Sequence, residues 1–162
     1  MTESLGVEAG RPLKQDPVIL SYRKILVGYD GSKNAKRALE RAAALAVHPG
    51  VALRIVVAVN MVLPVYGPIA PYYPSDYAEQ TIKEGEKTLA EAVNRAKEVA
   101  QNVEGSVERG RPAEVVLDLA ASEGANLIVL GRRGMSGVER FLMGGVSSSV
   151  VSHSRCDVLI VK

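Results

Sequence analysis

Four short apolar runs, each four to nine residues long, are separated by stretches whose apolar residues recur at helical spacing. That alternation limits the chain to few folds, because short apolar runs between helical stretches suit the strands of a parallel sheet covered by helices. Lys24-Ile-Leu-Val-Gly-Tyr29 stops at Asp30-Gly31-Ser32, which reads as a strand ending in a tight turn. Ser32 is placed to cap the next helix through its hydroxyl. Ala35, Ala38, Leu39, Ala42, Ala43 and Ala46 give that helix a small-residue inner face, and His48-Pro49-Gly50 ends it. Val51 to Val59 reads as a second strand, and a long helix is expected from about Asp76 to Gln101. Its buried side is expected to hold Leu89, Ala92, Val93, Ala96 and Val99 or Ala100. Ser106 to Glu108 suggests a weak third strand. Pro112 then opens a helix whose inner face holds Val115, Val116, Leu119 and Ala120. Asn126 to Leu130 is the fourth strand, a Ser-rich helix carries Val146, Val150 and Val151, and Val158 to Val161 is the last strand. Five strands alternating with four helices predict a single α/β domain, an open five-stranded parallel sheet with helices on both faces.

Composition agrees. The chain has 162 residues, enough for one domain, with a hydrophobic fraction of 47%, one Phe and no Trp. No internal repeat or second domain is seen. The formal charge of +2 and scattered basic residues do not suggest a nucleic-acid surface. The exception is Arg132, Arg133 and Arg140, which flank a glycine loop and fit a local anion site better. Cys156 is the single cysteine, so a reducing compartment and a cytoplasmic location are expected, with the thiol a small residue beside the last strand. No window approaches a membrane span. Residues 1–21 lack the order of a signal peptide and read as a flexible tail, or as an arm packed on a partner, ahead of a domain over 22–162. Between Asn60 and Ser75 the density of Pro and Tyr argues against regular structure; this stretch could cover a ligand or a partner.

In sheets of this kind ligands bind beyond the C-terminal strand ends, where the strand order reverses. The ends of the first and fourth strands, Asp30 and Gly131, are the obvious rims, and each carries a glycine turn. Gly131-Arg132-Arg133-Gly134, then nine residues, then Gly144-Gly145-Val146-Ser147-Ser148, is the most informative pattern in the chain. Glycines let the backbone come close to a phosphate, and the second cluster opens a helix whose N-terminus attracts anions. Ser147 and Ser148 can add hydroxyl donors. The same glycines can also serve as turns and a helix cap. Asp30, followed by Gly31 and Ser32, can accept hydrogen bonds from ribose hydroxyls, help hold a metal near phosphates, or simply close an Asx turn. Val59 can lie against an adenine ring or belong to the core.

Lys24-Ile-Leu-Val-x-x-Asp30-Gly31-Ser32 together with Gly131-x-x-Gly134-x9-Gly144 resembles the universal stress protein family, in its ATP-binding branch. The resemblance runs from about Arg23 to Lys162 and includes Gly110-Arg111-Pro112-Ala113 and Cys156-x-Val-Leu-Ile-Val161. It implies a Rossmann-like fold of the adenine nucleotide alpha hydrolase type, bound ATP or AMP, often Mg2+ or Mn2+, and a homodimer joined through the last strand. By position, Asp30 matches the adenosine-contacting acid and Val59 the residue beside the adenine. Gly131 to Gly134 match the first phosphate segment and Gly144 to Ser147 the second. The chain departs from the pattern at Gly145, where Ser or Thr is usual, at Gly28, where proline is common, and at Asp157, where proline often follows the cysteine.

Enzyme readings fare worse. No Gly-x-x-x-x-Gly-Lys-Ser/Thr run exists for a P-loop ATPase, and Gly134-Met-Ser136-Gly137 misses a nucleophile elbow by one residue. His48 and His153, the candidate bases, sit where surface or capping roles are expected. A receiver domain with Asp30 as phosphoacceptor lacks the acidic pair and the lysine it needs. A nucleotide-binding stress-response or signalling module is therefore expected, with slow ATP hydrolysis or an interaction module with a degenerate site as alternatives.

Overall fold

The computed structural model describes residues 22–61, 76–134 and 144–162. Nine elements follow in order: β1 (Lys24–Gly28), α1 (Lys33–Leu45), β2 (Ala52–Val59), α2 (Tyr77–Lys97), β3 (Asn102–Arg109), α3 (Pro112–Glu123), β4 (Leu127–Gly131), α4 (Gly145–His153) and β5 (Asp157–Val161). The five strands form one parallel sheet in the order β3-β2-β1-β4-β5. The chain thus builds outward from β1 to β3, then crosses to the other side of β1 for β4 and β5. The reversal lies between β1 and β4, which pair from Ile25↔Leu127 to Val27↔Val129.

Alternating side chains split the core into two layers, as a strand period of two requires. Ile25, Val27, Ile55 and Val57 pack with the alanine face of α1 and with Ala92, Ala96 and Ala100. Leu26, Val56, Ile128 and Leu130 pack with Val116 and Ala120 of α3 and Val150 of α4. Ser32 caps α1 as expected, its Oγ accepting from Ala35 N at 3.2 Å. Pro112 opens α3, and Gly124, at φ 68°, closes it in the left-handed conformation that favours glycine.

Several boundaries differ from the sequence reading. β3 runs over eight residues, pairing with β2 from Ala52↔Asn102 to Val59↔Arg109. It is an edge strand and mostly polar; Val103 is its one buried apolar residue, so hydrophobic patterning under-reports it. α2 ends at Lys97 rather than near Gln101, leaving Val99 exposed while Ala100 fills the core. In α4 only Val150 of the three expected valines is buried, since the nine-residue helix covers the sheet margin and turns Val146 and Val151 outward. β4 extends one residue further, so Gly131 belongs to the strand and pairs with Val161. The expected tail over 1–21 and most of the Pro- and Tyr-rich segment, over 62–75, lie outside the described residues. No helix among the described residues is long and apolar enough to cross a membrane.

At the opposite end of the sheet from the glycine turns, a charged tie joins four elements. Arg54 of β2 donates through Nε to Glu123 of α3 at 2.9 Å and through Nη2 to Ser106 of β3 at 3.0 Å. Lys24 Nζ donates to the Glu123 carbonyl at 2.8 Å. Arg54 is 18% exposed, so its charge is poorly solvated without that partner. Glu123→Ala is expected to cost about 1–3 kcal/mol, because it leaves a largely buried charge unsatisfied. Arg54→Met combined with Glu123→Leu is expected to recover most of that loss. Thermal melts of the single and double variants check both outcomes.

Candidate functional site

The reversal of strand order sets the C-terminal ends of β1 and β4 side by side, and two turns rise from them. In the first, Gly31 has φ 78°, a conformation that a side chain would strain. That turn lets Asp30 Oδ1 accept from Ser32 N at 3.0 Å. The Asx turn and the helix cap foreseen for Asp30 and Ser32 are therefore both present. The carboxylate keeps a second role in space, because a Cβ placed on Gly134 would stand 2.5 Å from Asp30 Oδ2. The two rims meet there, and a side chain at 134 would require the Asp30 carboxylate to move.

The second turn is held from behind. The Ser147 hydroxyl, in a residue only 3% exposed, lies 2.9 Å from Gly131 O and 3.1 Å from Arg132 O. Gly144 N donates to Arg132 O at 3.0 Å. Arg133 O accepts from Asn34 Nδ2 at 3.3 Å and from Ser32 Oγ at 3.5 Å. All three loop carbonyls are thus bonded to protein donors. α4 begins immediately afterwards with Gly144 as its N-cap and no side-chain cap, its first intrahelical bond running from Ser148 N to Gly144 O. The amides ahead of Ser148 have no acceptor inside the helix, and the helix dipole adds positive character there.

Between the rims lies a cavity of about 200 Å³. Its polar end is formed by Asp30, Gly131, Arg133, Gly134, Gly144, Gly145 and Ser147, with Val146 alongside. Its apolar end is formed by Val56, Ala58, Pro112, Val116 and Leu130 over Gly28. A Cβ on Gly28 would stand 2.5 Å from Leu130 Cδ2, so the leucine occupies space that a side chain at 28 would need. Tyr29 also lines the cavity; burial first, and the Glu91 carboxylate second, push its phenol above the ordinary value, so it stays neutral near neutral pH.

The structure brings together most of the residues that the sequence singled out, but not all. Gly31, Ser32, Arg132 and Ser148 stand beside the cavity without lining it. Val59 is also absent from the lining: its Cγ1 packs close to Gly85 of α2, on the other face of the sheet. Strand alternation is the reason, since residues 56 and 58 share one face and 57 and 59 the other. Ala58, missed in the sequence, takes the cavity position, and a period-two count along β2 would have found it. Asn34 was missed too, because its role is to position the Arg133 carbonyl. Gly131 proves to have a packing role: a Cβ there would lie 2.7 Å from the Asn34 carbonyl carbon and 2.8 Å from Ala35 N. Gly145 has the opposite character: among the described residues, nothing lies within 4 Å of where its side chain would be. Arg140 and Ser136 lie outside the described residues. His48 Nδ1 accepts from Gly50 N within its own turn, and His153 Nδ1 lies 2.8 Å from Ser149 O, so both histidines serve local structure away from the cavity.

Residues 21–162 match the model of the universal stress protein family. A universal stress protein of Thermus aquaticus is 36% identical over 145 residues, covering 87% of this chain and 99% of its own length. Among solved structures, a universal stress protein in complex with cAMP is 31% identical with a TM-score of 0.63, covering 87% of this chain and 97% of its own. The universal stress protein of Archaeoglobus fulgidus in complex with dAMP is 26% identical with a TM-score of 0.64, covering 88% and 100%. This chain belongs to the universal stress protein family.

The contact between Gly134 and Asp30 makes a prediction that needs no ligand. Gly134→Val is expected to cost about 1–3 kcal/mol, the usual penalty of forcing a side chain into filled space. Because the obstacle is the Asp30 carboxylate, the same substitution in an Asp30→Ala background is expected to cost markedly less. A double-mutant cycle by chemical denaturation reads the coupling; additive costs would show that the two rims do not meet.

Proposed function

We propose that this chain binds an adenine nucleotide, ATP or AMP, in the cavity between β1 and β4, and works as a nucleotide-dependent stress-response or signalling module rather than as an enzyme. The observation that carries this reading is the build of the rim. Three consecutive carbonyls are tied back into the protein, and a helix N-terminus with no side-chain cap opens beside them, so the cradle offers amide donors to an anion. The apolar slot from Ala58 to Leu130 suits a flat base, and Asp30 in the polar lining can accept hydrogen bonds from a sugar. Relatives of the same family held with cAMP and dAMP support the ligand class. A divalent ion such as Mg2+ would share Asp30 with the nucleotide's own phosphates, since such ions use few carboxylates when phosphates are present. The location proposed is the cytoplasm, where a lone thiol such as Cys156 stays reduced.

Gly145 favours a second reading, an interaction module of the same fold whose nucleotide site has decayed, because it brings no hydroxyl to the first turn of α4. Acid release of bound small molecules from the purified chain, followed by mass identification, separates the two. AMP or ATP at about one per subunit is expected. At a hundredfold excess of nucleotide over Kd, stabilisation of about 2.7 kcal/mol is expected in a thermal melt. No released nucleotide and no shift at millimolar ATP or AMP would leave the interaction module standing, and repeated phosphate release would make the chain an ATPase.

Assembly is proposed through β5. It is an edge strand whose Leu159 is 38% exposed, and pairing with a second copy across a two-fold axis would satisfy its open backbone edge. Light scattering is expected to give the mass of a dimer, and Leu159→Lys is expected to shift it toward the monomer.

A further inference from the structure

We infer that Asn34 is a positioning residue of the anion cradle: its side-chain amide holds the Arg133 carbonyl and so keeps the Gly134 N–H turned toward the phosphate. The inference rests on the nucleotide reading above. It gives a part in binding to a side chain that does not line the cavity.

The peptide joining Arg133 to Gly134 is the least constrained of the loop. Its orientation follows ψ of residue 133 and φ of residue 134, and glycine accepts either sign of φ. The two preceding carbonyls are fixed differently. Gly131 belongs to β4 and pairs with Val161, and its carbonyl lies 2.9 Å from the Ser147 hydroxyl. Arg132 N donates to Val161 O at 2.7 Å, while Arg132 O accepts from Gly144 N at 3.0 Å. The Arg133 carbonyl is held from across the strand-order reversal, by Asn34 Nδ2 at 3.3 Å and Ser32 Oγ at 3.5 Å. The serine is the weaker holder. Its distance is at the outer limit of a hydrogen bond, and its oxygen is committed to capping α1 through Ala35 N.

A trans peptide sets its C=O and N–H on opposite sides. With the Arg133 oxygen directed at the first turn of α1, the Gly134 N–H is directed away from that helix. α1 packs on one face of the sheet, and Val56, Val116 and Leu130 of the cavity lie on the other. Away from α1 is therefore the side of the cavity, which Arg133 and Gly134 line. Reversing this peptide would exchange a donor for an acceptor in the wall, and a phosphate would meet the negative end of a carbonyl dipole. Asn34 thus acts on the ligand through the loop, without touching it.

The test is calorimetric titration of the nucleotide-stripped full chain, and of its Asn34→Ala and Asn34→Leu variants, with adenosine and with AMP. Alanine and leucine are both good helix formers, and leucine keeps a branched side chain while removing the donor. Both variants are expected to weaken AMP about tenfold, the loss of one hydrogen bond to a charged group, while moving adenosine less than about twofold. The ratio of the two affinities separates a turned peptide from a general loosening of α1, which would weaken both probes. Unchanged AMP affinity in both variants, or equal losses for adenosine and AMP, would overturn the role of Asn34 and leave the nucleotide reading intact. Wild-type affinity for AMP no greater than for adenosine would overturn that role as well, because the loop would then hold no phosphate. A wild-type chain that binds neither probe would overturn the nucleotide reading itself, and the role of Asn34 with it.

Discussion

Where a loop at the edge of a parallel sheet sends its carbonyl oxygens decides whether the edge attracts an anion or repels one. Here the carbonyls of residues 131–133 are taken by Ser147, Gly144 N, Asn34 and Ser32. Two of those donors, Ser32 and Asn34, come from the cap and first turn of α1 and two from the start of α4, so the same bonds join the rims to each other. The strand order makes this possible. With β4 beside β1, the first turn of α1 comes close enough to Gly131 that a Cβ would strike its backbone. Remove that closeness and Asn34 and Ser32 no longer reach the Arg133 carbonyl, which is then free to turn toward the cavity, while those of Gly131 and Arg132 keep their bonds to the start of α4.

The same dependence explains how much of the molecule could be read from its residues. β1, β2 and β4 announce themselves because burial on both faces leaves few places for polar residues, Arg54 being the exception within β2, and the order of elements follows from their spacing. β3 hides because an edge strand needs only one apolar side, and its partner's backbone fixes its length rather than its own side chains. Glycine spacing located the rims, and the cap at Ser32 was visible as a local hydrogen bond. What stayed hidden was contact between segments distant in the chain. Asn34 bonds a carbonyl 99 positions away, and no pattern within α1 marks it. Val59 was placed by its rank at the strand end, while the pleat handed the cavity to Ala58.

The glycines of the rim divide by physical cause, and that division limits what their spacing can say about function. Gly131 and Gly134 are small because protein atoms occupy the space a side chain would need: the backbone of α1 in one case, the Asp30 carboxylate in the other. A chain of this fold that had lost every ligand would still need Gly131, whose obstacle is backbone, whereas at 134 the Asp30 side chain could give way. Gly144 is an intermediate case, with an added Cβ in ordinary contact with the loop, 3.4 Å from Arg132 O. At Gly145 no described residue opposes a side chain, so packing among them does not account for the glycine. Evidence about the bound molecule is therefore concentrated at the position where packing is silent. In this chain that position carries no hydroxyl, while the amides around it and the tied-back carbonyls behind it are the features on which the proposed anion site rests.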